Sequence, residues 1–134
     1  IDVNLKGTFL MSKHILPLMR EKGWGRIINI SSIVAEKGMI GTIAYSASKS
    51  GILGLTKTLA LENAMKGITV NCLSLGYFSA GMQKRLPEGV KSSVKSNIPS
   101  GQFGDPENIC QAIDFLINAD YVNGTTLRIN GGLI

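Results

Sequence analysis

Apolar side chains return every three or four positions along the first twenty residues, at Leu5, Phe9, Leu16 and Met19, with Ser12 on the same stripe. That spacing predicts one helical face from Val3 to about Glu21. Pro17 should kink or tighten its last turn, and the glycines of "KGWG" end it. The pattern then changes. "RIINIS" (26–31) is a short apolar run with several β-branched residues, as expected of a strand buried on both faces of a parallel sheet. A loop through Gly38 and Gly41 leads to a second helix, from about Ala44 to Lys66, stopped at Gly67. "ITVNCLSL" (68–75) reads as another buried strand. Residues 76–104, broken by Pro87, Pro99 and several glycines, read as an irregular excursion with a helical turn or two, and such a length after a strand is usually functional. "DPENICQAIDFLIN" (105–118) starts a third helix with Asp105 as N-cap and Pro106 at the first helical position. "TTLRIN" (125–130) is the last strand.

Strands that alternate with helices pair in parallel. The expected fold class is therefore α/β, a doubly wound parallel sheet with about three strands and three main helices. A seven-stranded sheet of this kind needs about 200 residues or more, so these 134 residues read as the second half of something larger. The opening "IDVNLKG" starts in mid-pattern.

Composition narrows the class. At 44% hydrophobic and 17% charged residues, the chain can bury a core and is not disordered. Its net charge of +5 would suit an anionic partner. The lysines are scattered, however, with no interleaved aromatics, which argues against nucleic acid. The uncharged run from Gly67 to Gln83 is too polar to span a bilayer, and no signal peptide is visible. Cys72 and Cys110 lack metal-ligand spacing and read as reduced thiols, so no metal site is expected. A soluble protein of the cytoplasm is the plain reading.

The chemistry lies in "AYSASKSGILGLTKTLALE" (44–62). Four residues apart on a helix, Tyr45 and Lys49 point the same way. A cation near a phenol lowers its pKa, moving it toward proton transfer near neutral pH. Ser31 and Ser32 end the strand before this helix, at the edge where ligands sit in open α/β sheets. Ser31 reads as a strand end, whereas Ser32 could hydrogen-bond a substrate carbonyl. The small residues Ala47, Ser48, Gly51 and Gly54 permit a close neighbour. A tyrosine–lysine pair alone is a weak signal, because chance supplies it often.

The wider pattern is stronger. "DVNLKGTF", "NISS", "YSASKSG", "ITVNCLSLGY", "IPSGQFGDPENI" and "LRINGG" together resemble the short-chain dehydrogenase/reductase family, in particular its 3-oxoacyl-acyl-carrier-protein reductase branch, over the whole chain. The resemblance implies a Rossmann-type domain of which residues 1–134 form the C-terminal, catalytic half. It implies hydride transfer between NAD(P)H and a carbonyl or alcohol, with NADPH favoured and a small-molecule or carrier-bound acyl thioester as substrate. Carried over by position, Asn4 would hold a water of the proton relay and Ser32 would polarise the substrate carbonyl. Tyr45 would be the acid or base, and Lys49 would assist it while binding the cofactor ribose. Tyr45, Lys49, Gly76 and Phe78 would contact the cofactor. A homodimer or homotetramer built on the first two helices is also implied.

The chain departs from the pattern in four places. The glycine-rich phosphate loop is missing, the family's Pro-Gly after the second strand reads Leu75-Gly76, and its cofactor-contacting threonine is Ala80. A further position has Asn130 where aspartate is more usual. A different class of reading is a truncated, non-catalytic remnant that acts as an oligomerisation or interaction module. His14 and Trp24 read as surface residues, and the basic set Lys84, Arg85, Lys91 and Lys95 as a solvated face open to an acidic carrier protein.

Overall fold

The computed structural model describes residues 1–134, the side chains of residues 82 and 83 excepted. Its elements are helix α1 (Gly7–Lys22), strand β1 (Gly25–Ser32), the single turn α2 (Val34–Lys37), helix α3 (Ile43–Asn63), strand β2 (Ile68–Leu75), helices α4 (Glu88–Ser96) and α5 (Glu107–Asn118), and strand β3 (Thr126–Ile129). The strands form one parallel sheet in the order β1-β2-β3. This is the α/β architecture expected from the alternation of apolar runs and amphipathic stripes.

Alternate side chains of β2 feed two cores, because successive residues of a strand face opposite ways. Ile68 and Val70 pack with Leu16 of α1 and Ala60 of α3. Leu73 packs with Ala112 and Leu116 of α5 on the other face. Leu73 and Leu116 are both fully buried, and burying each such side chain stabilises the fold by roughly 1.5–3 kcal/mol. The buried stripe of α3 is Ser48, Ile52, Thr56, Ala60 and Asn63. Its polar members are satisfied locally or across the core. Asn29 Nδ2 donates to Thr56 Oγ1 at 2.9 Å, and Asn63 accepts from Arg20 Nε at 2.7 Å.

Three details differ from the sequence reading. The first helix does not begin at Val3 as an α-helix: Asp2–Lys6 form a wider π-helical turn that runs into α1. The other end of α1 falls where expected, at Lys22, with Gly23 of "KGWG" as a left-handed cap. Residues 76–104 hold more than a turn or two, namely a short 3₁₀ segment (Gly81–Arg85), α4, and a bridge between Phe78 and Gly104. At α5 the assigned start is Glu107 rather than Pro106. The Asp105 carboxylate still accepts from the Glu107 amide at 2.9 Å, so the cap is real and only the boundary moves. No helix among the described residues is long and apolar enough to cross a membrane.

Candidate active site

β1 and β2 end side by side, with Ser32 opposite Leu75 in the register. Beyond these carboxyl ends lies a cavity of about 510 Å³. Ser32, Tyr45, Lys49, Gly76 and Phe78 all line it, together with Leu75 and Ala80. Five of the six residues singled out from sequence thus meet at one opening. The sixth, Asn4, lines a neighbouring cavity along α1 and β1, and Lys49 lines both.

Specific hydrogen bonds place Ser32, Lys49 and Asn4. Ser32 is the last residue of β1, and its Oγ accepts from the Val34 amide at 3.4 Å. Ser31 is buried and donates to the Lys49 carbonyl at 2.8 Å, which ties α3 to the strand end. Its hydroxyl is thus engaged within the fold. Tyr45 lies in the first turn of α3 and is 43% exposed, so its ring is open to the cavity. Lys49 reaches across the strand end, where Nζ donates to the Ile30 carbonyl at 3.0 Å. The same ammonium lies 5.7 Å from the centre of the Tyr45 ring. Burial pushes the Lys49 ammonium below the ordinary lysine value. Partial loss of water there also strengthens the field that the cation exerts on its neighbours.

Asn4 donates from Nδ2 to Ser48 Oγ at 3.3 Å, and Ser48 in turn donates to the Tyr45 carbonyl at 2.7 Å. The Asn4 carbonyl accepts from Thr8 Oγ1 at 2.6 Å. The π-helical turn is therefore stitched to α3 just beside Tyr45. Leu5 in the same turn lies against Gly51, where an added Cβ would come within 2.8 Å of its Cδ2. The small residues of this helix thus have one neighbour within the chain. Gly54 has none, and Ala47 is exposed.

Gly76 has a steric reason of its own. A Cβ there would sit 2.7 Å from Cα of Asn130, so only glycine lets the exit from β2 pass the end of β3. The sequence reading missed Met39, Thr42 and Tyr77, which complete the cavity wall. Their loop positions carry no periodic signal. Only the rule that ligands sit beyond strand carboxyl ends could have found them.

The donors at this edge match one end of the nicotinamide cofactor that the resemblance implies. The Tyr45 hydroxyl and the Lys49 amine sit on one wall of a cavity at the strand ends, which suits a ribose and nicotinamide ring. Ala80 offers no hydroxyl, and no glycine-rich phosphate turn occurs in the chain. The residues present fit the nicotinamide end of the group.

The parallel sheet thus brings a serine, a tyrosine and a lysine to one cavity at its strand ends. Comparison with known proteins identifies the family. The family model described as "Enoyl-(Acyl carrier protein) reductase" matches residues 1–134. The chain belongs to this family, the short-chain dehydrogenases/reductases. It is 43% identical to the 3-oxoacyl-(acyl-carrier-protein) reductase FabG of Rickettsia prowazekii (strain Madrid E), over 100% of this chain and 56% of that protein. It is 43% identical to nodulation protein G of Azospirillum brasilense, over 99% and 55%. With the acetoacetyl-CoA reductase of Rhizobium meliloti (strain 1021) the identity is 44%, over 98% and 56%. The chain spans little more than half the length of these relatives.

Proposed function

We propose that this chain is the C-terminal, catalytic half of a single Rossmann-type domain that reduces a 3-oxoacyl thioester or similar carbonyl to an alcohol. The observation that carries the reading is the meeting of Ser32, Tyr45 and Lys49 on one cavity at the strand ends. Two of the relatives are named as reductases of 3-oxoacyl or acetoacetyl thioesters. Fatty acid synthesis in the cytoplasm is the setting this suggests.

When bound, NADPH or NADH supplies the hydride to the carbonyl carbon. The Ser32 hydroxyl donates a hydrogen bond to the carbonyl oxygen, where negative charge develops. The Tyr45 hydroxyl gives that oxygen its proton. Lys49 keeps a positive charge beside the ring as the phenolate forms, and Asn4, through Ser48, holds the first turn of α3 in place. Tyr45, Lys49, Gly76 and Phe78 would hold the nicotinamide end. The lost threonine hydroxyl at Ala80 removes one donor to it. An acyl substrate, free or carried on a protein, is bound in a homodimer or homotetramer that uses the exposed faces of α1 and α3, where Phe9, Met11, Leu18 and Leu61 are open to solvent. The alternative, an inert interaction module, is favoured by no observation.

The test is Tyr45→Phe in the complete protein, assayed by NADPH oxidation with a 3-oxoacyl thioester. The ring stays and only the proton-donating hydroxyl goes. The rate should fall by roughly 10²–10⁴-fold while the cofactor dissociation constant stays within a few-fold. Activity close to wild type would remove Tyr45 from the reaction.

A further inference from the structure

Ser32 leaves β1 directly into α2, and three neighbouring elements grip that turn. The Ile33 amide donates to the Leu75 carbonyl of β2 at 2.9 Å. Ser50 Oγ of α3 donates to the Ala35 carbonyl at 2.8 Å. From β3, Arg128 sends Nε (2.9 Å) and Nη2 (2.5 Å) to a single carboxylate oxygen, Oε2 of Glu36. Arg128 is in register with Ser74, and Ser74 with Ser31, so the guanidinium reaches this turn from two strands away. The first two ties end on backbone carbonyls. Only the third depends on charge at both ends.

A helix of four residues has too few internal bonds to hold itself. Its position, and that of the serine just before it, is set by what it is tied to. We propose that Glu36 and Arg128 are positioning residues, whose ion pair holds the turn after Ser32 and so fixes the Ser32 hydroxyl in the cavity. This rests on the reductase reading above. The pair is only partly open to solvent, the Arg128 side chain 54% exposed and that of Glu36 17%, and such a pair adds little to global stability. Its effect is local. A small displacement of a group that meets the reacting carbonyl is enough to slow the reaction.

The experiment uses the complete protein with Arg128→Met, Glu36→Gln and the charge-exchanged double variant Glu36→Arg/Arg128→Glu. Amide hydrogen exchange over residues 33–38 is read beside kcat, KM, cofactor affinity and melting temperature. Arg128→Met should speed exchange in that segment by about two- to fivefold and lower kcat by a similar factor, with cofactor affinity and melting temperature unchanged. Glu36→Gln should do the same, and the double variant should recover at least half of the lost kcat. Unchanged exchange overturns the tie itself. Faster exchange with unchanged kcat overturns the positioning role. A wild-type protein inactive as a reductase overturns the positioning role together with the reductase reading, while the exchange data still decide whether the pair holds the turn.

Discussion

Cys72 is fully buried on β2, where loss of water pushes its thiol from the ordinary 9.0 up to about 11. Cys110, on α5, is exposed. The two should behave differently. As pH rises past 9 the unfolded chain releases the Cys72 proton while the folded chain keeps it, so stability falls with pH up to about 11. At pH 8 a disulfide reagent should modify one thiol rapidly, Cys110, and reach Cys72 only on unfolding. The urea midpoint should drop more between pH 8.5 and 10.5 in wild type than in Cys72→Ala. Two rapidly reacting thiols in the native protein would contradict the buried placement. The pairing of Tyr45 with Lys49 was legible because helical spacing alone aligns them. The bonds that set Lys49 on the Ile30 carbonyl and Asn4 on Ser48 were not, since both depend on how far one element sits from another.

Among the elements, β1, β2, α3 and α5 were readable because their apolar runs match the lengths and periods of buried structure. α4 was not, for a physical reason. Its sequence, "EGVKSSVKS", is rich in serine and glycine, poor helix formers, and none of its residues is buried. The π-helical turn was equally hidden, because "DVNLK" carries no local signal for a wider turn. Contacts with Ser48 and Gly51 on α3 accompany it. Gly67 links α3 to β2 and was read only as a stop. It has φ +69°, and a Cβ there would lie 2.3 Å from the Gly23 carbonyl oxygen. The backbone cannot yield as a side chain would. Gly67→Ala should therefore cost about 2 kcal/mol or more, measured by urea unfolding. A loss below about 0.5 kcal/mol would mean that the two loops separate easily.

On the scale of the whole molecule, the parallel sheet and its helices followed from the alternation of patterns, but the unequal pairing of the strands did not. β1 and β2 match over eight residues, whereas β2 and β3 match over four. Each strand lies beside its neighbour in the chain, and the connection from β1 to β2 is the shorter of the two. This order has a consequence in time. Closing the shorter crossover forfeits slightly less chain entropy, and it is rewarded by twice the length of ladder. Folding should thus proceed outward from the β1–α3–β2 unit, with β3 docking last. In a refolding experiment with pulsed hydrogen exchange, amides of α3 and β1 should gain protection before those of Thr126–Ile129. If β3 is protected first or in the same phase, the strand ladder does not set the sequence of events.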